Sequence, residues 1–99
     1  MEIKSTKENG VLTIALSGKL DTVTSKELDV VIKKELDSQV TIVIFDAKEL
    51  EYISSAGLRE IMFVKKTLGK KEAVIVKNIN NVVREIFRVT GIEKVITLE

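Results

Sequence analysis

The residues with usable chemistry gather in one stretch, EYISSAGLRE at 51–60. Ser54 and Ser55 set two hydroxyls side by side, and the small residues Ala56 and Gly57 follow, just where helical periodicity begins. The chain has no histidine and no cysteine. Ser-His and Cys-His nucleophilic catalysis are therefore excluded within it, as are disulfides and thiolate or imidazole zinc sites. A serine at a helix start retains two roles. As an N-cap its hydroxyl satisfies an orphan backbone amide, and Ser55 is the serine expected there. As a phosphoacceptor it gains about two negative charges at the positive end of the helix dipole. Phosphate so placed alters one surface patch without unfolding the helix.

Two carboxylates accompany the serines. Asp21, in the GKLD segment 18–21, precedes a predicted helix. It reads either as a cap-region acid or as a carboxylate that binds a kinase's magnesium or polarises the Ser55 hydroxyl. Asp46 ends an apolar run and reads either as a loop-capping acid or as support for the same hydroxyl. Gly57 either relieves crowding where a loop meets the helix or lets another chain's backbone approach. Tyr52 and Ile53 read as half-buried loop anchors. In open α/β sheets, sites collect outside the carboxyl ends of the parallel strands, where Asp46, Ser54-Ser55 and GKLD are expected to meet.

The elements that would hold these residues are legible as periodicities. VLTIALS at 11–17 is a strand punctuated by Gly18, and EIKSTK at 2–7 pairs with it through a turn at Glu8-Asn9-Gly10. Residues 24–36 are helical, with Thr24 and Glu27 spaced as a capping box and Leu28, Val31, Ile32 and Leu36 on one face. VTIVIF at 40–45 is a nearly continuous apolar run, read as a central strand buried on both faces that Asp46 ends. The next helix spans 55–68, with Leu58, Ile61, Met62 and Leu68 on one face. Gly69 follows it, and Lys65, Lys66, Lys70 and Lys71 surround its dipole-negative end. AVIVK at 73–77 is a strand, and 80–90 is a helix with Val82, Val83, Ile86 and Phe87 inward and Gly91 as its stop. VITL at 95–98 is a final edge strand. The order β-β-α-β-α-β-α-β implies an α/β fold with a mixed sheet and parallel crossovers after the first hairpin.

Bulk composition narrows the function classes. With 99 residues, one domain spanning 1–99 is expected. The net charge is +1, from 16 basic and 15 acidic residues, which provides no basic stripe for nucleic acid. No apolar run approaches the roughly 18 residues of a membrane span, and the N-terminus lacks a signal-peptide core. A cytoplasmic protein without membrane insertion is expected. No phosphate-cradling glycine loop is present, so no cofactor is expected, and no metal.

Three stretches resemble the STAS domain of bacterial anti-sigma factor antagonists: GKLDTVTSKEL at 18–28, VIFDAKELEYISSAGLRE at 43–60, and IFRVTGIEKVITL at 86–98. They occur in order and in one register over essentially the whole chain. The resemblance implies a single STAS-type domain, a mixed sheet with helices packed on one face, and a regulatory binding module in place of an enzyme. It also implies partner switching. The unphosphorylated protein binds an anti-sigma factor that is itself a serine kinase, which frees the sigma factor. The kinase phosphorylates the antagonist and the complex separates; a serine phosphatase reverses the change. The family's phosphoserine lies two residues before the glycine, which places it at Ser55. The resemblance further implies that Asp21 supports phosphorylation, with Asp46 as a second supporting acid. It assigns partner contact to Asp21, Thr22, Ser54, Ser55, Ala56, Gly57 and Arg59. Well-studied members carry an aspartate before the phosphoserine; Ser54 stands there, removing one carboxylate and adding a second acceptor. The alternative within STAS-like folds is a constitutive accessory subunit of a membrane transporter or a scaffold of a larger sensory complex.

Overall fold

The computed structural model describes residues 1–69 and 73–99. Lys70 and Lys71, expected near the end of the second helix, lie outside them. Five strands, β1 (Glu2–Glu8), β2 (Val11–Leu20), β3 (Ile42–Ile53), β4 (Ala73–Lys77) and β5 (Thr97–Leu98), form one sheet in the order β1-β2-β3-β4-β5. Three helices connect them: α1 (Thr24–Glu35), α2 (Ser55–Leu68) and α3 (Asn81–Thr90). β1 and β2 are antiparallel and every later pairing is parallel, as the element order requires. The hairpin turn is Asn9-Gly10, both residues at positive φ (50° and 80°), the geometry of a two-residue primed turn.

Period-two burial gives the sheet two unlike faces. Leu12, Ile14 and Leu16 of β2, Val43, Phe45 and Ala47 of β3, and Val74 and Val76 of β4 are buried on one side. The buried faces of the helices complete the core there: Leu28 and Ile32 of α1, Leu58, Ile61 and Val64 of α2, and Val83 and Phe87 of α3. The other face, with Thr13, Ile44 and Ile75, is only half-buried, so the run at 40–45 is not buried on both faces as expected: the helices cover one side of the sheet.

Several sequence expectations change. β3 does not end at Asp46 but runs to Ile53, and β2 passes Gly18 (φ 106°) to end at Leu20. Between them lie two register shifts, each with an extra residue on β3. These bulges break the alternation, so Ala47, Leu50 and Ile53 are buried at three-residue spacing. Ile53 is therefore a core strand residue and not a loop anchor, while Tyr52 is exposed. Val82 and Met62, placed inward by helical counting, are exposed, because the core takes only Val83 and Phe87 of α3 and the opposite side of α2. The last strand holds only Thr97 and Leu98. A 3₁₀ turn at Ile92–Lys94 precedes it and leaves Val95 exposed.

Candidate functional site

The bulges lengthen β3 so that it ends level with β2. Leu20 pairs with Ile53, and the next amide, Ser54 N, donates to Leu20 O at 2.8 Å. The segments that start α1 and α2 are thereby tied together at one end of the sheet, and Asp21 and Ser54 sit beside each other. This is the carboxyl end of both strands.

Each segment caps its helix differently from the sequence expectation. In α2 the N-cap is Ser54, not Ser55. Its backbone is extended (φ −91°, ψ 174°) and its Oγ accepts from Gly57 N at 3.3 Å. Ser55 is consequently the first helical residue. It is exposed, and no hydrogen bond engages its hydroxyl among the described residues. The amides of Ser55 and Ala56 belong to the first turn and have no intrahelical acceptor. In α1 the Thr24–Glu27 box does not form. The reciprocal pair is instead Asp21 with Thr24. Asp21 Oδ1 accepts from Thr24 N at 2.9 Å and Val23 N at 3.0 Å, and Thr24 Oγ1 accepts from Asp21 N at 2.8 Å while donating to Lys19 O at 2.7 Å. The Thr24 amide, and then its hydroxyl, hold the Asp21 carboxyl below its ordinary value. Every hydrogen bond to the Asp21 carboxylate from the described residues falls on Oδ1. Ser25, buried, donates to Asp21 O and closes the turn.

Thr22, Ala56 and Arg59 line a cleft between the two helix starts, together with Ser25, Lys26, Asp29 and Glu60. Gly57 lies beneath it, buried against Leu20 and Ile53. Asp21, Thr22, Ser54, Ser55, Ala56, Gly57 and Arg59 thus gather at one end of the molecule. Asp46 does not join them. It lies in β3 on the open face, seven residues before Ile53, about 20 Å at the usual strand rise. There its Oδ1 accepts from Lys48 N and Asn78 Nδ2, both at 3.1 Å, and so braces the first bulge against the end of β4.

The sequence reading missed Asp29 and Glu60. Lys33 Nζ lies 3.0 Å from Asp29 and holds its carboxyl below the ordinary value. Burial first, then a hydrogen bond with Asp29, push the Glu60 carboxyl up to about 7. Of the pair, Glu60 is the more readily protonated, and its Oε1 is enclosed without a partner among the described residues. No spacing rule joins position 29 on one helix to position 60 on another, so only packing reveals the pair. Among the described residues no group of three or more His, Cys, Asp or Glu side chains could hold a metal. No helix among them is long and apolar enough to cross a membrane.

The fold has close counterparts. An anti-sigma factor antagonist from Mycobacterium paratuberculosis superposes with a TM-score of 0.87 at 24% identity, over 98% of this chain and 83% of that one. The unphosphorylated form of the anti-sigma factor antagonist SpoIIAA gives 0.85 at 19% identity, over 99% and 88%. The murine anion transporter Slc26a9 gives 0.70 at 19% identity, over 90% of this chain but 15% of the transporter. These likenesses are of fold. No curated protein sequence is a significant match. The STAS domain family model matches residues 2–99. With its mixed sheet, its three helices on one face and nearly its whole length matched, the chain belongs to the STAS domain family.

Proposed function

We propose that the protein is an anti-sigma factor antagonist working by partner switching in the cytoplasm, as one domain over residues 1–99 and without enzymatic activity of its own. Unphosphorylated, it binds an anti-sigma factor serine kinase and releases the sigma factor. Phosphorylated on Ser55, it lets the kinase go, and a serine phosphatase restores it. The observation that carries this reading is the division between the two serines. Ser54 is occupied in capping α2, whereas the exposed Ser55 hydroxyl is unengaged among the described residues. Ser55 is therefore the acceptor and Ser54 the lesser candidate. Asp21, fixed through Oδ1 at the same end of the sheet, supports phosphorylation in this reading. Thr22, Ala56 and Arg59 complete the contact surface, while Gly57 sets its height from below. Asp46 has a structural role on the other face.

The chemistry of the switch follows from position. A phosphate on the first residue of α2 meets the amides and dipole of the helix, so the domain stays folded. At an interface the same dianion must be desolvated, and it repels acidic groups across the contact. A penalty of about 3 kcal/mol weakens binding by roughly a hundredfold, enough to hand the kinase to its competitor.

Incubation with ATP and a lysate of the source organism, followed by peptide mass spectrometry, tests the acceptor; a single phosphate on Ser55 is expected. Ser55→Asp is expected to weaken kinase binding by roughly a hundredfold, while Ser55→Ala binds as wild type does and cannot be released. Equal affinity of wild type and Ser55→Asp would sink the proposal. The likeness to the transporter supports a second reading, a constitutive accessory domain. It predicts no phosphate in a lysate with proven kinase activity, and co-purification with membrane protein.

A further inference from the structure

The face of α2 turned away from the sheet is unlike an ordinary solvated helix face. Gly57, Leu58, Ile61 and Val64 supply the buried side. On the outer side, Arg59, Met62, Phe63 and Lys66 stand at i, i+3, i+4 and i+7, one continuous ridge. Met62 is 38% exposed, Phe63 41%, and Val95, arriving from beyond the 3₁₀ turn, 46%. These three apolar side chains, with Arg59, Lys65, Lys66 and Gly69, line a groove of about 620 Å³.

The charges of the groove all have one sign. Arg59, Lys65 and Lys66 are basic, and no acidic residue lines the groove among those described. In a chain whose net charge is only +1, this is a local separation of charge around an apolar floor. The groove is built on a helix, so it offers an incoming chain side chains and no strand edge. That selects a helix as occupant, not an extended peptide. Its apolar face would cover Met62, Phe63 and Val95, and the surrounding cations select carboxylates at its margins.

We propose that this groove is a docking site for an acidic amphipathic helix of a partner protein, seated on Met62, Phe63 and Val95 with its carboxylates against Arg59 and Lys66. The site is independent of which serine accepts phosphate. A dianion at Ser55, one turn from Arg59, would oppose such a helix, so the groove also gives the proposed switch a charge to act against.

The test is a titration of the ¹⁵N-labelled protein with two synthetic amphipathic peptides that share a leucine face, one with glutamates on the polar face and one with lysines. The glutamate peptide is expected to shift the amide signals of Arg59, Met62, Phe63, Lys66 and Val95, with affinity falling as salt rises. The lysine peptide is expected to bind at least about tenfold more weakly, and Phe63→Ala to lose about tenfold for the glutamate peptide. Phe63 and Lys66 are exposed, so Phe63→Ala and Lys66→Glu leave the core intact, which melting curves verify. Equal affinity for the two peptides, unchanged binding by Phe63→Ala, or shifts confined to another face would each overturn the proposal.

Discussion

Replacing Gly57 with alanine adds one methyl group where the structure has no room. An ideal Cβ at Gly57 lies 2.7 Å from Ile53 Cγ1 and 2.8 Å from both Cγ and Cδ2 of Leu20. Carbon atoms in good contact are about 3.5–4.0 Å apart. The obstructing atoms cannot swing aside cheaply. Leu20 and Ile53 are essentially fully buried and are register partners, and Leu20 O accepts from Ser54 N beside them. Overpacking of this kind costs about 1–3 kcal/mol. Against it stands the gain from alanine in a helix, at most about 1 kcal/mol and less in the first turn. The net is a loss of about 1–2 kcal/mol, or a fall in Tm of about 5–15 °C for a domain of this size. Thermal melts by circular dichroism, with urea titrations for the free energy, measure it. A Gly57→Ala variant as stable as wild type, or more so, would refute the claim that glycine is present here for packing. The strain also falls on the start of α2, so phosphorylation of Ser55 should slow in the same variant.

Two further outcomes follow from the site. The Glu60 carboxyl is held at about 7 against an ordinary value near 4.5, so the folded state binds the extra proton between those limits. Stability is therefore fully present below the unfolded value and declines as pH rises from about 4.5 to about 7. Solvent screening of this half-buried group reduces the effect to about 1 kcal/mol. Urea midpoints for Glu60→Gln should lose that decline, and an unchanged pH slope would count against the Asp29–Glu60 pair. Ser54→Ala removes the α2 cap and should destabilise the protein by about 1 kcal/mol while leaving Ser55 a full substrate; loss of phosphorylation without loss of stability would reverse the roles assigned to the two serines.

The sequence by itself determined the parts of the molecule that depend on local rules. Asn9-Gly10 specifies a turn, the apolar run at 40–45 specifies a central strand, and the apolar spacing in 24–36 and 55–68 specifies helices. Strands alternating with helices then leave little choice but a largely parallel sheet. Motif order pointed to the family and to the stretch around Ser55. What tertiary structure decided were matters of register and of contact between distant segments. Two extra residues on β3 carry the strand to Ile53, strand Asp46 on the open face, and bring the start of α2 level with Asp21. The bond from Ser54 N to Leu20 O seats Ser54 as the cap and leaves Ser55 outside. Gly57 is small because Leu20 and Ile53 are behind it, and the Glu60 carboxyl is raised because packing buries it and sets Asp29 opposite. A periodicity gives the face a residue occupies on its own element, but not which other element packs against that face, and the burial, capping and charge at this site depend on the second.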